Sequence, residues 1–227
     1  MEEQARFASP FRDRIDAGRA LAERLGMYRG KDILVLGIPR GGVPVAAEVA
    51  RRLNGELDVL VARRLGAPGQ PELAIGAVTG NGGEFVDEEM VHYLGVSEAY
   101  LQRVRQEQLG EARRREARFR GGRPAERIRD RIVVLVDDGL ATGATMRAAA
   151  RSVRKHRPAL LVVAVPVGSR EACAALREEA DEVVCPLVPE FFGAVGSFYE
   201  NFEPTEDAEV ESILREFTPP AAAAAGR

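Results

Sequence analysis

Four near-continuous apolar runs, at residues 32–38, 57–62, 132–136 and 160–165, most constrain what this chain can become. Each is short and rich in Val, Leu and Ile, without the apolar–polar alternation of a strand that has one wet face. Such runs read as strands buried on both faces, the pattern of a parallel sheet covered by helices. A shorter fifth strand is expected at residues 182–185. Between the runs lie segments of helical spacing, at about 43–54, from about 145 to Lys155, and at about 170–177. Strands alternating with helices predict an α/β fold with a doubly wound, mainly parallel sheet. Ligands of such sheets sit beyond the carboxyl ends of the strands.

The ends and the middle depart from this alternation. Ser9-Pro10 reads as a helix start, with Phe11, Ile15, Gly18, Leu21, Ala22 and Leu25 on one face of the helix. From Leu65 to Asp130 the pattern changes. Residues 74–79 and 84–86 flank Gly80-Asn81-Gly82-Gly83 and read as a β-hairpin. Residues 97–119 read as a long Arg/Glu-rich helix whose less charged face carries Leu101, Val104, Gln108 and Ala112. The organisation expected is a single domain over residues 1–218, with an insertion at about 66–130 and a small C-terminal hood at about 186–204. The Pro/Ala-rich residues 219–227 are expected to be disordered.

Composition narrows the function classes. With 227 residues and 45% hydrophobic content, the chain can bury one sizeable core. A formal net charge of −3 gives no footprint for nucleic acid, and acids interleave with the arginines of the long helix. No stretch reaches the length of a membrane span, and the polar N-terminus lacks a signal-peptide core. Cys173 and Cys185 have neither CxxC spacing nor His neighbours, so reduced thiols in a cytoplasmic protein are expected. The only lysines are Lys31 and Lys155, against many arginines, a bias that fits a GC-rich genome or a thermophile. His92 and His156 are isolated on predicted helices and are given no role.

The chemistry concentrates in residues 132–146. An apolar strand delivers two adjacent carboxylates, Asp137 and Asp138, to the sheet edge. Small residues and hydroxyls then curl into the start of a helix. Small residues let backbone N–H groups approach a phosphate closely, and the helix N-terminus favours the anion. Thr142 and Thr145 add hydroxyl donors. The carboxylates do not favour a phosphate, so they should face sugar hydroxyls or a divalent metal.

This run resembles the signature of the type I phosphoribosyltransferases, in which an apolar strand, two acidic residues and a Thr/Gly-rich loop bind 5-phosphoribosyl-1-pyrophosphate. The resemblance implies that Asp137 and Asp138 bind the ribose 2′- and 3′-hydroxyls. It implies that Gly139, Ala141, Thr142, Gly143, Ala144 and Thr145 cradle the 5′-phosphate. Residues 37–44 resemble the family's pyrophosphate loop, with Arg40, Gly41 and Gly42 at the matching positions. Arg63 and Arg64 follow the second strand, where relatives often carry a basic residue that reaches the pyrophosphate; surface charge is the competing reading. Residues 66–72, rich in Gly and Pro, lie where the family has a mobile catalytic lid.

The hood of the family holds the acceptor base. Here residues 188–202 concentrate aromatics, and Phe191, Phe192, Phe198 and Tyr199 are candidates to stack on it, closure of the core being the alternative for any one ring. Residues 165–170 lack the Lys usual in relatives that act on 6-oxopurines. The implied activity is Mg²⁺-dependent transfer of the phosphoribosyl group to an unidentified nitrogenous base, with release of pyrophosphate. Asp137, Asp138 and Arg40 form the implied catalytic set. Mg²⁺ would arrive on the ligand, with Asp137 and Asp138 as its protein contacts. Two alternatives share these loops: a non-catalytic regulator that binds phosphoribosyl pyrophosphate, and a phosphorolytic or hydrolytic enzyme acting on a related ribosyl compound. Many relatives are dimers, so a homodimer is an expectation; no nucleic-acid or membrane partner is expected.

Overall fold

The computed structural model describes residues 11–217. Its centre is a five-stranded parallel sheet in the order β2-β1-β6-β7-β8, formed by β1 (Ile33–Gly37), β2 (Glu56–Val59), β6 (Ile132–Val136), β7 (Leu160–Ala164) and β8 (Glu182–Val184). The register pairs Val35 with Val134 and Leu36 with Leu135, so side chains at alternate positions enter opposite layers. Val35 and Val134 pack with α1 (Arg14–Arg24), α2 (Gly42–Leu53) and α7 (Asp207–Glu216) through Leu21, Leu53, Val210 and Leu214. Leu34, Leu36 and Leu135 pack with α5 (Ala144–Lys155) and α6 (Arg170–Leu176) through Met146, Val153 and Leu176. Each of these fully buried aliphatic side chains contributes about 1.5–3 kcal/mol. The doubly wound α/β expectation is borne out.

Local signals place the helix ends. Asn54 closes α2 in the left-handed conformation at φ 57°, and the Ser169 hydroxyl caps α6 by accepting from the Ala172 amide at 3.1 Å. The first helix corrects the sequence reading. It begins at Arg14, because the Asp13 carboxylate accepts from the Asp16 amide at 2.8 Å and caps it. Ser9 and Pro10, as well as residues 219–227, lie outside the described residues. Phe11 precedes the helix, and its ring packs 5.6 Å from that of Tyr199.

The expected strand at residues 57–62 is two strands. The Leu60 amide donates to the Gly37 carbonyl at 3.1 Å, and the Val61 amide turns to the Glu116 carboxylate at 2.9 Å. The chain then enters β3 (Ala62–Ala67), which pairs antiparallel with β4 (Gln70–Thr79), and β4 with β5 (Glu84–Val86). The departure from alternation therefore starts at Ala62. The expected hairpin around residues 80–83 is present. A second hairpin joins β3 and β4 through Pro68 and Gly69, so residues 66–72 are mostly paired strand.

This second sheet is covered by α3 (Glu88–Tyr93) and α4 (Glu98–Arg120), with Leu65, Ile75, Leu101 and Val104 in the shared core. Ser97, where the helix was expected to start, caps α4, and Gly121 ends it at φ 59°. At the far end of α4, Arg120 donates to Asp58 at 2.9 and 3.1 Å and fixes the added layer to the end of β2. The added layer thereby stands beside the carboxyl edge of the parallel sheet.

Candidate active site

Two loops leave adjacent strands β1 and β6 side by side. The first, residues 38–42, is held by the Ile38 amide donating to the Val136 carbonyl at 2.9 Å and the Gly42 amide to the Ile38 carbonyl at 3.0 Å. Its Pro39–Arg40 peptide is cis. Among the described residues the amides of Arg40 and Gly41 donate to no protein group. Gly42 is required for the approach of the two loops: a Cβ there would stand 2.7 Å from the Val136 carbonyl oxygen and 2.8 Å from the Asp137 Cα.

The second loop, residues 137–143, is pinned from the β7 side. The Leu140 amide donates to the Val167 carbonyl at 2.9 Å, and the Ser169 hydroxyl to the Ala141 carbonyl at 2.7 Å. Gly143 adopts φ 81° where the loop turns into α5. The amides of Ala141, Thr142 and Gly143 donate to no protein group among the described residues. With the first turn of α5 they form a cluster of N–H donors at a helix N-terminus, the arrangement that receives a phosphate. Ala141 and Thr142 are exposed, Gly143 and Ala144 are buried, and Thr145 is half-buried.

At the start of the second loop, against Gly41 and Gly42 of the first, lie Asp137 and Asp138. Each has one carboxylate oxygen engaged by a protein N–H: Asp137 Oδ1 by the Asp138 amide at 2.9 Å, Asp138 Oδ2 by Arg14 Nε at 2.9 Å. The two carboxyl groups also hydrogen-bond each other, and the Asp138 carboxylate is reached by its own backbone N–H. Burial, then the neighbouring Asp138 charge, pushes the Asp137 carboxyl well above the usual carboxylate range. Burial also raises Asp138, opposed by the Arg14 guanidinium. Asp137 and Thr145 open onto a cleft of about 620 Å³, walled by Arg63, Arg64, Tyr100 and Gln108 of the added layer.

The two candidate cations behave differently. Arg63 faces this cleft from β3 and donates to Gln108 at 3.0 Å; burial and then the Arg115 charge lower its pKa. Such a site favours a compensating anion. The Arg40 guanidinium instead lies 3.5 Å from Glu206 and 3.8 Å from Asp207, at the start of α7. Asp207 also receives Arg118 at 2.8 Å.

The candidate aromatics separate as well. Phe192 lines a groove beside Ala141 and Thr142, and Phe198 stacks behind it at 5.5 Å between ring centroids. Phe191 projects into solvent at 84% exposure. Tyr199 corrects the sequence reading. Its ring is buried between Phe11 and Phe202, and its hydroxyl donates to the Asp138 carbonyl at 2.6 Å, so neither face is open to a base. Sequence reasoning missed Arg14, the Glu206–Asp207 pair and the α4 wall. Arg14 carried one signal, a cation in the first turn of a helix, where the macrodipole disfavours it.

Comparison with known proteins relates the chain to one family. The phosphoribosyl transferase domain family matches residues 12–203. Two curated relatives from Mycobacterium tuberculosis strains, both provisionally named phosphoribosyl transferases, are 48% identical over 204 residues, or 90% of this chain. The chain spans 46% of those relatives' length. The crystal structure of TT1426 from Thermus thermophilus is 48% identical, covers 92% of this chain and 99% of its own, and superposes with a TM-score of 0.78. The site geometry and the extent of these matches together establish that the chain belongs to the phosphoribosyl transferase domain family.

Proposed function

We propose that the chain binds 5-phosphoribosyl-1-pyrophosphate with Mg²⁺ and transfers its phosphoribosyl group to a nitrogenous base, releasing pyrophosphate. The observation that carries this reading is the pairing of two donor-lined loops across Gly42, with a carboxylate pair where they meet. A ligand with a phosphate at each end and a vicinal diol in the middle matches that order of groups. The family membership supports the same class of transfer.

In this reading the amides of residues 141–145 and the Thr142 and Thr145 hydroxyls hold the 5′-phosphate. The Asp137 and Asp138 carboxylates accept from the two ribose hydroxyls and keep the sugar in line, a positioning effect. As the anomeric C–O bond loosens, charge develops on the departing pyrophosphate. The Arg40 and Gly41 amides and the Arg40 and Arg63 guanidinium groups stabilise it, acting in a cleft shielded by α4. Asp137, on the cleft wall, offers a hard oxygen donor that fits Mg²⁺ carried by pyrophosphate. The metal would supply charge neutralisation at the leaving group. Phe192, beside the phosphate loop, is the ring placed to meet the acceptor. The two free thiols, Cys173 and Cys185, support a cytoplasmic setting. Among the described residues no helix is long and apolar enough to cross a membrane.

The test is pyrophosphate release from phosphoribosyl pyrophosphate and Mg²⁺ with a panel of purine, pyrimidine and pyridine bases. Base-dependent release supports transfer. Tight binding without release from any base would favour a regulator that uses the same loops.

A further inference from the structure

Arg14 stands outside every motif in the sequence, yet it reaches the centre of the site from 124 residues away in the chain. We propose that Arg14 is a positioning residue for the sugar of the phosphoribosyl ligand, fixing Asp138 and tying it to the C-terminal segment at Phe202 and Glu203. The inference rests on the functional reading above and adds a residue and a linkage to it.

Three contacts hold the guanidinium. Nε donates to Asp138 Oδ2 at 2.9 Å, Nη1 donates to the Glu203 carbonyl at 2.7 Å, and the guanidinium carbon lies 3.9 Å from the centre of the Phe202 ring. The Arg14 and Asp138 side chains are only 12% and 16% exposed, so their geometry is set by the surrounding structure. Planar Arg suits this combination of stacking and directed donation better than Lys.

The contact fixes the Asp138 carboxylate at one oxygen. Arg14 occupies Oδ2 of a carboxylate whose other contacts are the Asp137 carboxyl and its own backbone N–H. The Asp138 carboxylate occupies the space a side chain on Gly41 would need, which seats it against the first loop. From the other side the Tyr199 hydroxyl holds the Asp138 carbonyl at 2.6 Å. A Cβ on Gly139 would overlap Val195, so the hood also closes on the following residue. Asp138 is thus clamped by α1 and by the hood together. Without Arg14, the carboxylate could turn within the space beside Gly41, and residues 202–203 would lose their anchor to α1.

The experiment compares two probes, phosphoribosyl pyrophosphate and inorganic pyrophosphate, each with Mg²⁺, by calorimetry on the full chain. Only the first carries the sugar. Arg14→Ala is expected to weaken phosphoribosyl pyrophosphate by at least about tenfold, the scale of a lost hydrogen bond to a charged group. Pyrophosphate affinity should change by less than about threefold, because the hydrogen bonds of Arg14 go to Asp138 and the Glu203 carbonyl, and its Nε only flanks Gly41. Arg14→Lys should give a smaller, equally sugar-selective loss, and it is the variant to use if the alanine form does not fold. Hydrogen exchange at residues 199–203 should quicken in Arg14→Ala. Unchanged sugar-ligand affinity, or parallel losses for both probes, would overturn the proposal. Failure of the wild-type chain to bind phosphoribosyl pyrophosphate would instead remove the functional reading beneath it.

Discussion

The Arg120 guanidinium lies 2.9 and 3.1 Å from the two carboxylate oxygens of Asp58, joining the end of α4 to the end of β2. Both side chains are nearly buried, at 12% and 5% exposure, and Arg120 also donates to the Val59 carbonyl at 2.7 Å. Removing one partner leaves an uncompensated charge inside the protein. Arg120→Ala should therefore lower the stability by about 3 kcal/mol, read as a shift in the urea unfolding midpoint. In Arg120→Ala with Asp58→Asn the losses should add to less than their sum.

Arg40 separates stability from binding. Its ion pairs are at the surface, with Arg40 39% and Glu206 74% exposed, so they are worth at most about 1 kcal/mol. Arg40→Ala should leave the melting temperature nearly unchanged while weakening Mg²⁺-pyrophosphate roughly tenfold. If pyrophosphate affinity holds, Arg40 serves only to dock α7.

Gly42 sets the spacing of the two loops. A methyl group there meets the backbone at Val136 and Asp137, which cannot rotate aside. Gly42→Ala should cost about 1–3 kcal/mol and reduce ligand binding by spreading the loops. Gly26, where a Cβ would meet nothing within 4 Å, provides the control. Gly26→Ala should stay within about 0.5 kcal/mol of the parent in the same denaturation assay.

Tyr28 predicts an alkaline limit. Its hydroxyl donates to Glu182, and burial followed by that contact pushes its pKa up to about 12. The neutral phenol is the form the fold favours. Its contribution is therefore complete below about pH 10, the unfolded value, and is lost as pH rises through about 12. Thermal melts over this window should show the loss in the parent chain and a flatter profile in Tyr28→Phe.

The parallel core was legible because Val133 to Val136 and their counterparts are apolar at every position, which only a doubly covered sheet accommodates. The candidate loop at residues 137–145 was legible because its residues are contiguous. The end of β2 was not, since Leu57 to Ala62 is apolar with the single exception of Asp58, and the break is made by Glu116 capturing the Val61 amide from a distant helix. Burial of Tyr199 and the reach of Arg14 are likewise products of long-range packing. No local pattern distinguishes a ring that closes the core from one that stacks on a ligand. The turn of Arg40 toward Glu206 and Asp207 depends on where α7 docks, which periodicity does not specify.

The most direct measurement is calorimetric titration of phosphoribosyl pyrophosphate into the protein with and without Mg²⁺, repeated in the Asp137→Asn/Asp138→Asn variant. The account predicts Mg²⁺-dependent binding by the parent chain and none by the folded double variant. Binding of equal strength in both proteins, or none by the parent in either condition, would contradict it.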